Sequence, residues 1–165
     1  MAVDTYTPLF SEVLNKVAKL KTKDEKIEHL RKYNNDSLRM IIKSSFDPKI
    51  EWELPEGDVP YTKNDAPEGT EHNILAHEAR KLYHFIKGGN PQLTQNKREA
   101  MFVQMLEGLH ESEAKLLVAA KDKKLHQVYK GLSANVVKAA FNWTDEYMVE
   151  EVEYPQSSRA ASFPD

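Results

Sequence analysis

The chain has 165 residues, no cysteine, 40% hydrophobic and 30% charged residues, and a formal net charge of −3. This composition excludes a disordered chain and a disulfide framework, and no apolar run reaches the roughly 20 residues that span a membrane. The first residues lack a basic stretch followed by an apolar run, so the sequence predicts no secretory signal. We therefore expect one globular domain, and the lack of cysteine agrees with a reducing compartment.

Charge is segregated along the chain. Residues 16–49 hold ten lysines and arginines against five acids, whereas residues 51–71 hold seven acids and one lysine. Residues 78–138 hold eleven basic and six acidic residues. The segment from Trp143 to the last residue holds six acidic residues and one arginine. Because a charged partner responds to the local potential, this pattern says more about binding than the net charge does.

Three helices are predicted before residue 50. Thr7-Pro8 matches the cap and the first position of a helix. Residues 22–25, Thr-Lys-Asp-Glu, form a capping-box pattern for a second helix. Asn35 can cap a third helix, which ends before Pro48. Apolar residues recur at helical spacing in all three segments.

The middle of the chain begins with an acidic loop at residues 51–70, where prolines and glycines exclude a continuous helix. Residues 50–55, IEWELP, alternate like a short strand that packs against the helices. A fourth helix is predicted from about residue 71 to 87, with Tyr83 and Ile86 on its buried face. Gly88-Gly89 follows as its terminator.

Four further helical segments are predicted. The fifth runs from Thr94 to about Leu109, and Ser112 is expected to cap the sixth. Leu125 and Val128 mark a short helix, which Gly131 ends. Ser133 caps the last helix. The sequence thus predicts an all-α fold, a compact bundle of about six to eight helices.

The predicted organisation is a single helical domain at residues 1–143 and an extended acidic and polar tail at residues 144–165. The tail alternates apolar and acidic residues, which suits an edge strand or a segment that lies extended over a partner. Five apolar tail residues are the candidates for partner binding: Tyr147, Met148, Val149, Val152 and Tyr154.

The stretch DKKLHQVYKGLSANVVKAAF (122–141) places lysines and a glycine before a capped helix. A helix N-terminus offers unpaired N–H groups and a positive dipole end, and lysines add attraction to phosphates. The candidate nucleic-acid-binding residues are Lys121, Lys123, Lys124, Lys130, Gly131, Ser133 and Lys138. In the alternative interpretation, the glycine makes a turn, the serine caps the helix and the lysines keep the surface soluble.

Catalytic and metal signatures are missing from the sequence. His77-Glu78 begins a zinc-protease pattern, but Lys81 stands where the second histidine is needed. No nucleophile elbow, phosphate-binding glycine loop or dinucleotide fingerprint occurs. The acidic loop has no apolar surroundings that would raise a carboxyl pKa for acid catalysis. We expect no enzyme activity, no cofactor and no metal.

Two stretches of the chain resemble segments of the N-terminal helical domain of ATP-dependent DNA ligases from T-even-type phages. They are KDKKLHQVYKGLSANVVKAAF and, near the N-terminus, LFSEVLNKVAKLKTKDEKIEHLRKYNNDSLRMIIKSSFDP. Four stretches are similar to segments in a group of small uncharacterised proteins of tailed phages, especially marine and cyanobacterial ones. These stretches are FDPKIEWELP, EARKLYHFIKGG, KREAMFVQMLEGLHESEAKLL and KDKKL…YKGLS. The resemblance implies an all-α fold, a phage origin and a domain that binds duplex DNA largely through contacts with the DNA backbone. The lysine-containing nucleotidyl-transfer motif of the ligases is absent.

Two functions follow as expectations. The first is a non-catalytic phage module that contacts the duplex DNA backbone, as an accessory of replication or repair. The second is a protein–protein interaction module, either a virion component or an early protein that acts on a host target. The expected location is the host cytoplasm, with the virion as the second location, and no membrane partner is expected.

Overall fold

The computed structural model describes residues 8–62 and 73–149, and these residues form an all-helical fold without a strand. The prediction of an all-α bundle is confirmed. In chain order the elements are α1 (Phe10–Lys19), α2 (Lys23–Lys32), α3 (Asp36–Phe46), α4 (Leu75–Glu78), a 3₁₀ helix (Ala79–Phe85), α5 (Gln95–Glu107), α6 (Glu111–Lys121), α7 (Leu125–Val128) and α8 (Ala134–Phe141).

Helix α6 lies at the centre of the bundle, where it packs against α1, α3, α5 and α7. Leucines and alanines, which are strong helix formers, dominate its sequence. A helix that is buried on nearly every side must be apolar nearly all round. Its buried residues are Glu113, Ala114, Leu116, Leu117, Ala119, Ala120 and Lys121. The two charged members of this set therefore need partners inside the protein.

Four predicted helix caps are confirmed. The Thr22 hydroxyl accepts from the Glu25 N–H (3.1 Å), and the Glu25 carboxylate accepts from the Thr22 N–H (3.2 Å). Asn35, Thr94 and Ser133 each accept from the N–H three residues later, at 2.8, 3.3 and 3.3 Å. These caps were readable in the sequence because each hydrogen bond joins residues of one helical turn.

The predicted start of α1 is wrong by two residues. The helix begins at Phe10 and its cap is Leu9, whose N–H donates to the Glu12 carboxylate (2.7 Å). Thr7 lies outside the described residues. The Phe10 N–H donates to the buried Glu113 carboxylate of α6 (3.0 Å), so a distant side chain caps this helix.

The predicted cap of α6 is also wrong. Ser112 lies inside the first turn of α6, and its N–H donates to the ring Nδ1 of the cap residue His110 (3.1 Å). In α7 only Leu125 is buried, whereas Val128 is 54% exposed. A single turn of helix can direct one side of its circumference to the core, and Leu125 occupies that side.

The predicted fourth helix is short and changes type. After α4 the chain continues as a 3₁₀ helix, in which side chains three residues apart share a face. Ala79, Leu82 and Phe85 follow this period and are buried. Tyr83, which an α-helix would bury, is 51% exposed, and Ile86 is only partly buried. The burial predicted for these two residues is therefore wrong.

The predicted strand at residues 50–55 is reduced to one antiparallel bridge between Trp52 and Ile86. The Glu53 N–H donates to the Phe85 carbonyl (2.7 Å), and the Lys87 N–H donates to the Glu51 carbonyl (2.8 Å). The segment packs against the helices as expected, and its first residues are tied to the end of the 3₁₀ helix. Residues 63–70 of the predicted acidic loop lie outside the described residues, as do residues 71 and 72 at the predicted start of the fourth helix.

The folded core extends beyond the predicted boundary at residue 143. Trp143 and Tyr147 are 8% and 7% exposed and belong to the core cluster, with ring centroids 6.1 Å apart. A second isolated bridge joins Trp143 to Val149. The beginning of the predicted tail is thus a closed turn that covers the end of α8.

Candidate nucleic-acid interface

The turn between α7 and α8 contains Lys130 and Gly131, both of which are exposed. Gly131 has a φ of +95°, and a Cβ atom there would lie 2.6 Å from the Cε atom of Lys26. Only glycine combines this backbone conformation with so close an approach. Because α2 packs against α8, the side chain of Lys26 lies against this turn at Gly131.

The first turn of α8 is open to solvent. The Ser133 hydroxyl accepts from the Val136 N–H, and the Ser133 carbonyl accepts from the Val137 N–H (3.0 Å). Within the described ranges, no acceptor is bonded to the N–H groups of Ala134 and Asn135. These groups sit at the positive end of the helix dipole, so an anion that approaches here finds donors and favourable charge.

Lys121 is not part of this surface, and its assignment to phosphate binding is corrected here. Its side chain is 1% exposed. Its Nζ donates to the Pro55 and Gly57 carbonyls (2.6 and 3.1 Å) and pairs with the Asp122 carboxylate (2.5 Å). Asp122 also accepts from the Gly57 N–H (3.1 Å). Lys121 thus fastens the segment after α3 to the central helix.

Lys123 and Lys124 follow at the end of α6. Lys123 adopts a φ of +59°, and its Nζ donates to the Asp47 carbonyl (2.6 Å). Partial burial lowers its pKa, against the opposing effect of the Asp47 and Glu51 charges. Lys123 is therefore engaged by its own chain. Lys124 remains 47% exposed, and in the described part of the chain its one ion pair is a loose one with Glu56 at 3.6 Å.

Lys138, in the last turn of α8, is also engaged. Its Nζ pairs with the Asp145 carboxylate at 3.2 Å and lies 5.3 Å from the centre of the Tyr147 ring. A cation over an aromatic ring is attracted to the negative face of that ring. These contacts join the end of α8 to the turn after Trp143, which corrects the assignment of Lys138 to phosphate contact.

The structure therefore brings together three of the seven predicted residues, Lys130, Gly131 and Ser133, at one helix start. It adds Lys26, whose Nζ also donates to the Leu20 carbonyl. No sequence pattern connects Lys26 with Gly131, since they lie more than one hundred residues apart and meet only through helix packing. Lys124 is also exposed, but it precedes α7 in the sequence, whereas Lys130 and Gly131 follow α7.

The candidate partner-binding residues of the tail separate in a similar way. Tyr147 is buried against Trp143, so its assignment to partner contact is corrected. Met148 and Val149 are 56% and 71% exposed. Val152 and Tyr154 lie outside the described residues.

Among the described residues, no group of three or more His, Cys, Asp or Glu side chains is placed to hold a metal ion. His77 is exposed, and the ring of His84 contacts Tyr83 and the Asn90 amide. In the same part of the chain, the helices are all too short or too polar to span a bilayer.

A model of a family of unknown function, DUF6433, matches residues 13–127. The chain belongs to this family. No curated protein and no solved structure matches it. The part that matches DUF6433 begins within α1 and ends within α7, so it includes Lys26 and the fastening residue Lys121, whereas Lys130, Gly131 and α8 follow it.

Proposed function

We propose that this protein is a non-catalytic module that contacts the phosphate backbone of duplex DNA through the start of α8. The observation that carries the proposal is the first turn of α8, where the N–H groups of Ala134 and Asn135 have no acceptor among the described residues and follow closely after the exposed Lys130. Backbone donors at a helix start favour phosphate, and the lysines add attraction that does not depend on base sequence.

The number of cations at the turn sets the affinity for DNA that we expect. Lys130 and Lys26 are the two cations next to the turn, so about two phosphates would be neutralised. Binding should then be weak, independent of sequence and sensitive to salt. A weak backbone contact suits an accessory of phage replication or repair in the host cytoplasm, as the ligase resemblance implies, in which another protein supplies the chemistry.

The test is a titration of a fluorescently labelled duplex of about 20 base pairs, followed by anisotropy. Two neutralised phosphates predict a roughly tenfold loss of affinity between about 50 and about 200 mM salt. Lys130→Glu should weaken binding several-fold and reduce the salt slope by about one. Lys130 is exposed, so this variant should fold normally.

The matched control is Lys97→Glu, the same charge change at an exposed position of α5, which packs against α6 and the 3₁₀ helix. It should leave DNA binding nearly unchanged. Equal losses in Lys130→Glu and Lys97→Glu would mean that only net charge matters, which contradicts a site at α8. Absence of binding at micromolar protein and low salt would contradict DNA contact altogether.

The exposed end of the C-terminal turn favours a second candidate function, a protein–protein interaction module of a virion or of early infection. Met148 and Val149 project from a turn that Tyr147 holds to the core. Affinity capture from phage-infected cell lysate should lose its specific partner with Met148→Glu/Val149→Glu and keep it with Val128→Glu, which changes another exposed apolar residue. Equal capture by all three proteins would exclude this surface.

A further inference from the structure

An apolar groove of about 420 Å³ lies between α3 and the 3₁₀ helix. The buried Leu82 lies at its base, and the exposed Met40 and Tyr83 and the half-buried Ile86 are among its walls. Met40 is 44% exposed and Tyr83 is 51% exposed. Large apolar side chains that line one concave surface and remain open to water indicate a binding site more than isolated exposed ones do.

The groove exists because the segment after α4 is a 3₁₀ helix. Its inward face is filled by residues at a period of three, and Tyr83 falls outside that face. The turn that follows is so tight that a Cβ atom at Gly89 would lie 2.0 Å from the Tyr83 carbonyl oxygen, so this position requires glycine. The backbone of Gly89 therefore lies against that of Tyr83 at one wall of the groove.

The rim of the groove is cationic. Lys43 of α3 and Lys87 after the 3₁₀ helix both line it, and no acidic residue does so among the described residues. Neither ammonium group has a hydrogen-bond or ion-pair partner in the described part of the chain. An occupant that fits must bury apolar side chains between Met40 and Tyr83 and must carry negative charge at its edges.

We propose that this groove binds an acidic peptide segment with apolar or aromatic anchors, presented by a partner protein. Tyrosine and methionine suit such a contact, since a tyrosine ring offers a large rigid surface and a methionine side chain adapts its shape. A nucleic acid backbone would supply the charge but no aliphatic anchor for the walls. The inference is independent of the DNA contact, which uses α8.

This chain contains a segment of the same chemistry, and the test must separate it from a partner. Residues 148–157 read MVEEVEYPQS, with three glutamates among four apolar or aromatic residues. The described chain comes near the groove before that point, because the Lys49 Nζ donates to the Glu146 carbonyl (3.1 Å) and the neighbouring Ile50 lines the groove.

The experiment titrates a labelled synthetic peptide with the sequence MVEEVEYPQS against the full chain and against a chain that ends at Val149. We expect both proteins to bind it. Tyr83→Ala should weaken binding about tenfold, and Lys43→Glu/Lys87→Glu should do the same. The matched control is Lys97→Glu/Lys115→Glu, an equal charge change on α5 and α6, which should bind like the unaltered chain.

Each of the following outcomes would contradict one part of the proposal. Binding by the chain that ends at Val149 but not by the full chain would mean that the chain's own segment fills the groove, and the partner assignment fails. Binding by neither protein, or equal weakening in the two lysine variants, removes the groove as a site. Equal binding of a peptide with its glutamates changed to lysine removes the acidic character of the occupant. Circular dichroism of each variant confirms that it is folded.

Discussion

Two lysines that are three positions apart have opposite roles. Lys121 is the last residue of α6, and its side chain points into the interior, where it meets two carbonyls and a carboxylate. Lys124 follows the turn and remains half exposed. In the sequence both belong to one basic run. Their difference arises because the end of the central helix meets the segment after α3.

Replacement of these two lysines by methionine should separate a structural role from a surface role. Lys121→Met removes the donor to the Pro55 and Gly57 carbonyls and the counter-charge of the buried Asp122 carboxylate, so the free energy of unfolding should fall by about 3–5 kcal/mol. Lys124→Met should change it by less than about 1 kcal/mol, because exposed ion pairs contribute little. Urea denaturation measures both values. Similar losses in the two variants would contradict the assignment of Lys121 to the interior.

A buried tyrosine predicts how stability depends on alkaline pH. Burial, followed by the nearby charge of Glu113, raises the pKa of Tyr129. The unfolded chain then releases this proton near pH 10 while the folded chain still holds it, so the stabilisation is complete below about pH 10 and is lost above it. Tyr129→Phe should make the decline of unfolding free energy between about pH 9 and about pH 11 shallower. An unchanged decline would contradict the pKa shift.

At the scale of the elements, one carboxylate joins three helices. Glu113 lies in the first turn of α6 and is 1% exposed. Its two oxygens accept from the Phe10 N–H of α1 (3.0 Å) and the Leu75 N–H of α4 (2.9 Å). Helix starts have unpaired N–H groups, and here a side chain of the central helix satisfies one in each neighbour.

Glu113→Gln should weaken this junction. The glutamine amide group would face one of the two N–H donors, so one hydrogen bond to a charged acceptor is lost, at a cost of about 1.5–3 kcal/mol. Glu25→Gln at the exposed capping box of α2 should have a smaller effect, because water replaces the lost acceptor. Chemical denaturation compares the variants. If the Glu25 change proved the larger, Glu113 would not be the main link between these helices.

At the scale of the whole molecule, the acidic segments fold onto the basic ones. Lys121 holds the segment at residues 55–57, Lys124 pairs with Glu56, and Lys138 pairs with Asp145. Part of the charge segregation in the sequence is therefore taken up by contacts within the chain. Lysines such as Lys16, Lys21 and Lys97 are exposed elsewhere, but the two proposed sites use the cations at the start of α8 and at the rim of the groove.

The position of the domain boundary leads to a prediction about truncation. A chain that ends at Val149 keeps the Trp143–Tyr147 cluster and should unfold at the same urea concentration as the full chain. A chain that ends at Asn142 loses two buried aromatic side chains and should lose more than about 3 kcal/mol. Equal stability of the two truncated chains would place the boundary at residue 143 after all.

The sequence by itself determined the helical class of the fold and four helix caps. Apolar periodicity and the hydrogen bond from a cap side chain both act within one or two turns, so they leave a pattern that can be read locally. The serine at the start of α8 and the glycine before it were found in this way. The local pattern also supplied the order of the helices and the starts of α2, α3, α5 and α8.

Tertiary structure alone decided which charges and apolar residues face a partner. The carbonyls that occupy Lys121, the proximity of Lys26 to Gly131 and the outward direction of Tyr83 all depend on how distant segments pack. Contacts between segments that are far apart in the chain leave no periodic signal in the sequence. The surface of this protein is therefore set by helix packing, whereas its helices are set by local sequence.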